Sequence, residues 1–212
     1  MGKEKLIKEQ NRKWLISYIL FHIVLFALFT ASLNPTFKDV DELLSLLKSP
    51  SGFFPLLAFP IIIILDGVIH SDYKAMLIFL RVKYALPGHR AFSDIAKYDS
   101  RINYEKLISL YPKGLPVEPQ DQNNEWYELY RQFSNRPVVY DSHKSFLLTR
   151  DLASLTFLLT PFCLIAHILW KTSPITILYH IILLICITII LCVASQNYGK
   201  RFVSNVLIEA IS

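Results

Sequence analysis

Three histidines and one aspartate fall inside apolar stretches of this chain: His22, Asp66, His167 and His180. Each such group costs free energy in hydrocarbon unless it faces protein or water, so its position is a pointer to function. Asp66 is followed by Gly67, which admits a close neighbour. Asp66 is therefore a candidate for lining a pore or a cation site, and the alternative is that it pairs with a basic residue such as Lys13 or Arg150.

His167 and His180 flank the short connection between the last two apolar stretches. The turn centres near Ser173, and the two histidines lie six residues before it and seven after it. Antiparallel helices would place both imidazoles at a similar depth. Such a pair can share a proton, bind a metal in a symmetric oligomer, or respond to pH. The alternative is that each bonds a carbonyl or hydroxyl across the helix contact. His22 is a weaker candidate of the same kind.

Outside the apolar stretches, acid–base chemistry has few candidates. Asp141-Ser142-His143 and the combination of His89 with Asp94 are the only groupings of that type, and neither matches a catalytic signature. The chain contains no GxxxxGK[ST], HExxH, GxSxG or CxxC motif. We therefore predict no enzyme activity, no cofactor and no metal site. The alternative is a membrane-bound enzyme with Asp141 and His143 in its active site.

The cysteines have a simple interpretation. All three lie inside apolar stretches, where a thiol packs as a small apolar group, so no disulfide framework is expected. They are Cys163, Cys186 and Cys192.

Four apolar stretches of 16 to 20 residues must position these groups. They are Trp14–Leu33, Phe53–Val68, Leu152–Trp170 and Ile175–Ala194. Their lengths approach the ~20 residues with which a helix crosses the hydrocarbon core of a bilayer. The sequence therefore predicts an all-α membrane protein with four transmembrane helices in two hairpins and a helical cytoplasmic insert between the second and third spans.

We expect five segments along the chain. They are an N-terminal helix (1–13), a first transmembrane hairpin (14–70) with an outward loop (34–52), a cytoplasmic helical domain (71–151), a second transmembrane hairpin (152–195) and an amphipathic cytoplasmic tail (196–212). Phe202, Val206 and Leu207 share one face of the tail. That face is expected to lie along the inner leaflet or to bind a neighbouring subunit.

The basic residues are distributed asymmetrically about the apolar stretches. They precede the first apolar stretch, follow the fourth and occur throughout the central segment, including both of its ends. The two outward connections carry only Lys38, Lys48 and Lys171. The positive-inside rule therefore places both termini and the central domain in the cytoplasm. Twelve Lys and Arg face ten Asp and Glu in 71–151. A net charge of +2 does not favour direct nucleic-acid binding.

Short helices separated by prolines are expected within the central segment. The pattern predicts that the second span continues as a helix to Tyr84 and that Ser93 caps a turn through Tyr98. A helix from Asn103 should stop before Pro112, and Pro119 should open another helix. A last helix from about Tyr140 should enter the third span directly. No alternating run long enough for a sheet is present.

Two groups of side chains in the central segment are candidate contacts for lipid or a partner. The cationic group surrounds a Pro-Gly turn and suits anionic headgroups or an acidic partner, although it would also serve as a solvated junction. The aromatic group suits a protein interface, and the alternative is core packing. The candidates are Arg81, Lys83, His89, Arg90, Trp126, Tyr127 and Tyr130.

The layout of four spans, a cytoplasmic helical insert and no enzymatic signature resembles the small membrane subunits of bacterial anti-phage defence systems, such as the membrane component of the Kiwa system. The resemblance rests on architecture, size and the Leu152–Ala194 hairpin, and it carries over no functional residue. It implies a bacterial inner membrane and a role in antiviral defence. The interrupted insert, the aromatic face and the missing catalytic motifs favour a homo-oligomeric anchor or sensor that acts through a cytoplasmic partner. The alternative is an oligomeric channel, against which the scattered positions of Ser17, Thr156 and Thr188 argue.

Overall fold

The computed structural model describes residues 2–31, 61, 64, 66–169 and 172–212, and within them the regular structure is helical throughout. Three helices are long and apolar enough to cross a membrane: Glu9–Thr30, Pro137–Leu169 and Pro174–Ile211. The all-helical, multi-pass prediction is confirmed to that extent. The predicted span Phe53–Val68 lies mostly outside the described residues, and the loop 34–52 lies wholly outside them. The fourth crossing therefore stays a prediction.

The helices in chain order are α1 (Gly2–Ala31), α2 (Ser71–Phe79), α3 (Ala96–Tyr98), α4 (Tyr104–Ser109), α5 (Pro119–Phe133), α6 (Pro137–Leu169) and α7 (Pro174–Ile211). A 3₁₀ turn at Pro87–Arg90 and a π-helical turn at Ala91–Ile95 separate α2 from α3. The chain divides into two compact units. The apolar unit comprises Met1–His70 and Asp151–Leu191, and the insert unit comprises Ser71–Arg150 and Cys192–Ser212.

The apolar unit is held together by side chains at helical spacing. Ile19 of α1 packs with Leu155 and Leu159 of α6, which lie one turn apart on the same face. A second cluster joins Phe26 of α1, Cys163 and Ala166 of α6, and Leu184 of α7. The three helices therefore form one packed bundle, in which the thiol of Cys163 is an apolar core group. The charged residues of the predicted N-terminal helix form the first turns of α1.

The helix that begins after His70 is shorter than predicted. α2 ends at Phe79, because Leu80 adopts the left-handed conformation (φ 51°), as does Tyr84 (φ 53°). The side-chain amide of Gln196 donates to the carbonyl oxygen of Ile78 at 2.6 Å. That bond satisfies one of the carbonyls that a helix end leaves open. The apolar pattern past Phe79 therefore does not continue the helix, and Leu80 and Val82 are exposed.

The C-terminal part of α7 forms the core of the insert unit. The Phe202 ring meets Trp126 at 5.1 Å and Tyr130 at 5.2 Å, both edge-on, and stacks on His143 at 4.5 Å between centroids. Val203, Val206 and Leu207 are fully buried. The apolar face of the tail therefore packs against residues of its own chain. This corrects the expectation that the face contacts the inner leaflet or a neighbouring subunit. Burial of a Phe side chain is worth about 1.5–3 kcal/mol, so this face is a main source of stability for the unit.

One glutamine secures the irregular turns of the insert unit to α5. The Oε1 atom of Gln122 accepts hydrogen bonds from the backbone N–H groups of Phe92 and Ser93 and from the Ser93 hydroxyl, each at 3.1 Å. Its Nε2 donates to the Val117 carbonyl at 2.8 Å. Ser93 thus lies inside a π-helical turn and is not the predicted cap.

Two further helix boundaries agree with the sequence pattern. Asn103 caps α4 by accepting from the Lys106 N–H at 3.0 Å, as its residue type predicts. Pro119 opens α5 as expected.

Candidate functional site

The two histidines of the last hairpin are in direct contact within the apolar unit. Nε2 of His167 and Nδ1 of His180 lie 2.8 Å apart and share a hydrogen bond. Both side chains are fully buried. The predicted similar depth of the two imidazoles is confirmed by this contact. Both hydrogen-bonding patterns considered are represented, because the rings bond each other and His167 also meets a hydroxyl group.

Each histidine of the pair has a second nitrogen, and the two have different surroundings. Nδ1 of His167 lies 3.2 Å from the hydroxyl oxygen of Thr172, which begins the turn into α7. Nε2 of His180 is buried and has no hydrogen-bond partner among the described residues. The pair is therefore a line of polar atoms with a hydroxyl at one end and an open nitrogen at the other.

Aromatic rings of α1 cover the pair. Phe26 lies 4.6 Å from the His167 ring, and Phe29 stacks on His180 at 4.7 Å with 16° between the planes. Aromatic faces attract cations, so these walls favour an imidazolium more than an aliphatic wall would. The spacing of the two phenylalanines, three residues apart, puts both on the face of α1 that meets α6 and α7.

His22 lies one turn before Phe26 on the same face of α1. It is 2% exposed, and its neighbours are the rings of Tyr18 at 4.5 Å and Phe21 at 5.3 Å. Neither ring nitrogen has a hydrogen-bond partner in the described part of the chain. A buried imidazole with both nitrogens open is rare enough to call for an explanation, such as water or a ligand.

Some polar groups of the apolar unit are aligned, although Ser17 is exposed and Thr188 bonds a carbonyl of its own helix, as expected from their scattered positions. Tyr18 of α1 bonds Thr156 of α6 through their hydroxyls at 2.6 Å. Thr160 and His167 follow Thr156 on α6 at intervals of four and seven residues, which places all three on one face. The spacing of these three residues is visible in the sequence. The alignment was missed because each helix, considered alone, has too few polar groups to indicate a polar face.

Asp66 is largely buried, with 9% of its surface exposed, in the helical residues 66–68. Its carboxylate belongs to the apolar unit. The proposed roles in a pore or a cation site remain predictions, since the span that precedes it lies mostly outside the described residues.

The structure does not assemble the acid–base groupings of the insert unit. His143 shares a 3.0 Å hydrogen bond with the Tyr130 hydroxyl, and Ser142 donates to the Val139 carbonyl, also at 3.0 Å. Asp141 is exposed, whereas His143 is 5% exposed within the core. His89 bonds the Pro119 carbonyl rather than Asp94. Both histidines therefore have hydrogen-bond partners other than the predicted acids, and the absence of enzyme activity stays a prediction.

The aromatic candidates for an interface separate into buried and exposed members. Trp126 and Tyr130 are 7% and 8% exposed and pack on Phe202, so they are core residues rather than contact residues. Tyr127 is 46% exposed and keeps its candidacy.

The cationic candidates separate in the same way. His89 is buried, whereas Arg81 and Lys83 are exposed. Arg90 pairs with Asp94 at 3.8 Å. Burial, followed by repulsion from Arg81, lowers the pKa of Arg90 from its ordinary value.

The outer face of α5 contributes to a shallow groove of about 460 Å³, which we call the acidic groove. Its carboxylates come from Asp121, Glu125 and Glu128, which follow one another at helical spacing. The Tyr111 hydroxyl donates to Glu125 at 3.0 Å. Burial and then the Glu125 charge raise the pKa of Tyr111, so the phenol stays protonated. The other lining residues are Gly114, Pro116, Asn124 and Tyr127.

Within the described residues, no three His, Cys, Asp or Glu side chains are grouped so that they can hold a metal ion. Two nitrogens of the histidine pair already bond each other, so these two atoms do not serve together as metal ligands. Comparison with family models, with curated proteins and with solved structures found no match to this chain.

Proposed function

We propose that this protein is a non-enzymatic subunit of the inner membrane that forms a homo-oligomer and recruits a cytoplasmic partner through its insert unit. The observation that carries the proposal is the acidic groove. It is open to solvent, whereas Trp126 and Tyr130 of α5 are used in the core.

The chemistry of the groove selects the kind of partner. Asp121, Glu125 and Glu128 present three carboxylates along one face of α5, and Tyr127 adds an exposed aromatic ring. Among the described residues, the one cation in contact with these carboxylates is Arg131, which lies 3.1 Å from Glu128, and that pair is exposed. A segment of the partner that carries Lys or Arg beside an apolar residue would match both features. Binding of this kind weakens as salt is added.

Apolar surface on the long helices supports membrane anchoring and leaves room for other copies. The most apolar part of α7 is 11% buried and that of α1 is 17% buried. Lipid covers such a surface in a monomer, and lipid and neighbouring subunits cover it in an oligomer. Arg81 and Lys83 are exposed, and they suit contacts with anionic headgroups of the cytoplasmic leaflet.

The test places a photo-crosslinking amino acid at position 127 of the full chain in membranes of its host. We expect one cytoplasmic protein to crosslink there, and we expect Glu125→Gln combined with Glu128→Gln to abolish the product. A probe at position 98 is the matched control, since Tyr98 is an exposed aromatic residue away from the groove. Glu105→Gln, an exposed acid on α4, is the charge control.

Three results would contradict the proposal. Crosslinking that is equal at positions 127 and 98 would remove the groove as the site. A product unaffected by the two Gln substitutions would remove the charge argument. A purified protein that is monomeric by light scattering would remove the homo-oligomer. A role in anti-phage defence, which the resemblance implies, is tested separately by the plaque count on cells with and without the gene.

A channel is the second candidate, and the aligned polar groups of the apolar unit favour it. Tyr18, His22 and Thr156 would line a path together with the histidine pair. Ion flux through liposomes that contain the purified protein would support this function if Asp66→Asn abolished it. Flux equal to that of empty liposomes would exclude it.

A further inference from the structure

We propose that the His167–His180 pair is a proton site that holds one additional proton between its two rings and passes protons between the Thr172 hydroxyl and the open Nε2 of His180. The inference is independent of the acidic groove and of any partner. It rests on the 2.8 Å contact between the rings, on their complete burial and on the different ends of the pair.

The uncharged pair has two arrangements of its protons. In the first, His167 donates from Nε2 to Nδ1 of His180, accepts from Thr172 at Nδ1, and leaves an N–H at Nε2 of His180. In the second, His180 donates from Nδ1 to Nε2 of His167, which donates from Nδ1 to the Thr172 oxygen, and His180 keeps a lone pair at Nε2. The same non-hydrogen positions serve both arrangements, because each neutral imidazole carries one proton on either nitrogen.

A proton taken up by the second arrangement converts it into the first. The proton binds the lone pair at Nε2 of His180, and the shared proton moves toward Nε2 of His167. His167 then releases its Nδ1 proton to an acceptor at the Thr172 end. One N–H bond forms at His180 Nε2, one moves within the pair and one breaks at His167 Nδ1. One proton enters, one leaves, and the net charge of the pair is unchanged.

The pair holds one added proton but not two. With one, both outer nitrogens carry N–H groups and the inner proton stays between the rings, so the 2.8 Å contact is preserved. A second added proton would place N–H groups on both facing atoms. Two donors cannot hydrogen-bond each other, and two adjacent cations repel in a medium of low dielectric constant. The pair would then have to open.

The surroundings are consistent with a transient charge. Phe26 and Phe29 of α1 supply aromatic faces, and sharing the proton between two rings spreads the charge. His22 on α1 interacts electrostatically with His180, and Cys163 on α6 packs in the same cluster as Phe26. Thr172 is an uncharged neighbour of His167. The stretches 14–31, 152–169 and 174–199 contain no Asp, Glu, Lys or Arg. No charge on these three stretches therefore holds the proton in place.

The experiment is ¹⁵N NMR of histidine-labelled full-length protein in lipid nanodiscs, titrated from about pH 8 to pH 4. We expect the signals of His167 and His180 to move together and to report one proton per pair. His180→Asn is the diagnostic variant, because its amide occupies the place of Nδ1 and keeps a hydrogen bond but does not bind a proton. In this variant the coupled uptake should disappear. His167→Gln is the equivalent change on the other side, with its amide in place of Nε2.

Two controls separate the proton site from an effect on folding. His22→Gln should leave the coupled titration of the pair in place. Thr172→Val should leave the number of bound protons unchanged and slow exchange of the His167 Nδ1 proton about fivefold, since that nitrogen loses its hydroxyl. His143 reports in each spectrum whether the insert unit is folded.

Several results would overturn the inference. They are histidines that stay neutral over the whole range, two protons bound per pair, two independent titrations, and His167 uptake that is the same in His180→Asn as in the unaltered protein. None of these results bears on the partner, which has its own crosslinking test.

Discussion

The apolar unit and the insert unit each bury histidine, and they satisfy it differently. In the insert unit, His143 bonds the Tyr130 hydroxyl at 3.0 Å and stacks flat on Phe202. In the apolar unit, His167 bonds His180 at 2.8 Å, and the far nitrogen of His180 stays open. A phenol offers a fixed partner that keeps its own proton, whereas a second imidazole can exchange roles with the first. The comparison teaches that the partner of a buried histidine differs between the two units, and this difference is the reason that the proton site is proposed in the apolar unit and not at His143.

α7 displays the same difference along a single helix. Its apolar residues within the apolar unit include Ile189 and Ile190, which are 57% and 66% exposed. Within the insert unit, Val203 and Val206 of the same helix are fully buried. The residue types are alike, so composition alone does not distinguish them. Lipid serves as the environment of the first pair, and the protein core serves as that of the second.

The largest expected effect is the loss of the Phe202 ring. We expect Phe202→Ala to destabilise the insert unit by about 3–5 kcal/mol, because the cavity would lie between Trp126, Tyr130 and His143. Hydrogen exchange of the α5 amides in detergent measures this. Phe21→Ala is the matched change in the apolar unit, where the ring is 51% exposed, and it should leave those amides unaffected. Unchanged protection in Phe202→Ala would show that the core lies elsewhere.

Gly88 and Gly67 should respond in opposite ways to the same substitution. A Cβ at Gly88 would collide with the Asn123 side chain and approach Trp126 to 2.9 Å, so Gly88→Ala should cost about 1–3 kcal/mol. A Cβ at Gly67 meets nothing within 4 Å among the described residues. Because Gly67 is helical, Gly67→Ala should be neutral or stabilising by up to about 1 kcal/mol. Thermal unfolding of both variants is the measurement, and equal losses would contradict it.

The partners of the buried histidines provide the third comparison. Tyr130→Phe removes the hydroxyl that bonds His143 and should cost about 1–3 kcal/mol, since Nδ1 is then buried without its partner. Thr172→Val should cost less, about 0.5–1.5 kcal/mol, because His167 keeps its bond to His180. Unfolding in denaturant compares the two. A larger loss in Thr172→Val would reverse our ranking of the two sites.

The smallest effect belongs to the ion pair between Asp99 and Arg101. The 2.6 Å hydrogen bond from Arg101 holds the pKa of Asp99 well below its usual range, against the opposing effect of burial. A depressed carboxylate pKa stabilises the fold at pH values above the unfolded pKa of about 3.9 and is lost as the pH falls through the folded pKa. Arg101→Gln should therefore lower stability by up to about 1 kcal/mol at pH 7, because the pair is partly exposed.

The same argument gives the pH dependence. The difference between Arg101→Gln and the unaltered protein should shrink below about pH 4, as Asp99 of the variant becomes protonated near its ordinary pKa in both states. Unfolding measured at pH 7 and at pH 3 tests it. A difference that grows in acid would show that the pair is not the cause.

The long helices and most helix starts were predictable, because they depend on local signals. Asn103 and Pro119 act at the positions that their residue types favour. The depth of His167 and His180 followed from counting residues outward from one turn. Their bond to each other was less certain from spacing, since rotation of each helix about its axis decides whether two rings at equal depth meet.

Features that join distant parts of the chain were not predictable. In the sequence, Gln122 is one polar residue among many on α5. In the structure, its side chain accepts a hydrogen bond from the backbone of Phe92, which lies 30 residues earlier in the chain. The sequence shows that Phe202 and Val206 lie on an apolar face of the tail, but the partner predicted for that face was wrong. Amphipathic spacing indicates that a face is covered, and it does not indicate which surface covers it. Tyr18 and Thr156, 138 residues apart, met the same limit.

The early end of α2 has an energetic consequence. Leu80 and Tyr84 adopt left-handed conformations, which cost bulky L-residues about 1–2 kcal/mol each. Other contacts of the insert unit must offset that cost. The bond from the Gln196 amide to the Ile78 carbonyl, near the point where the helix stops, is one such contact.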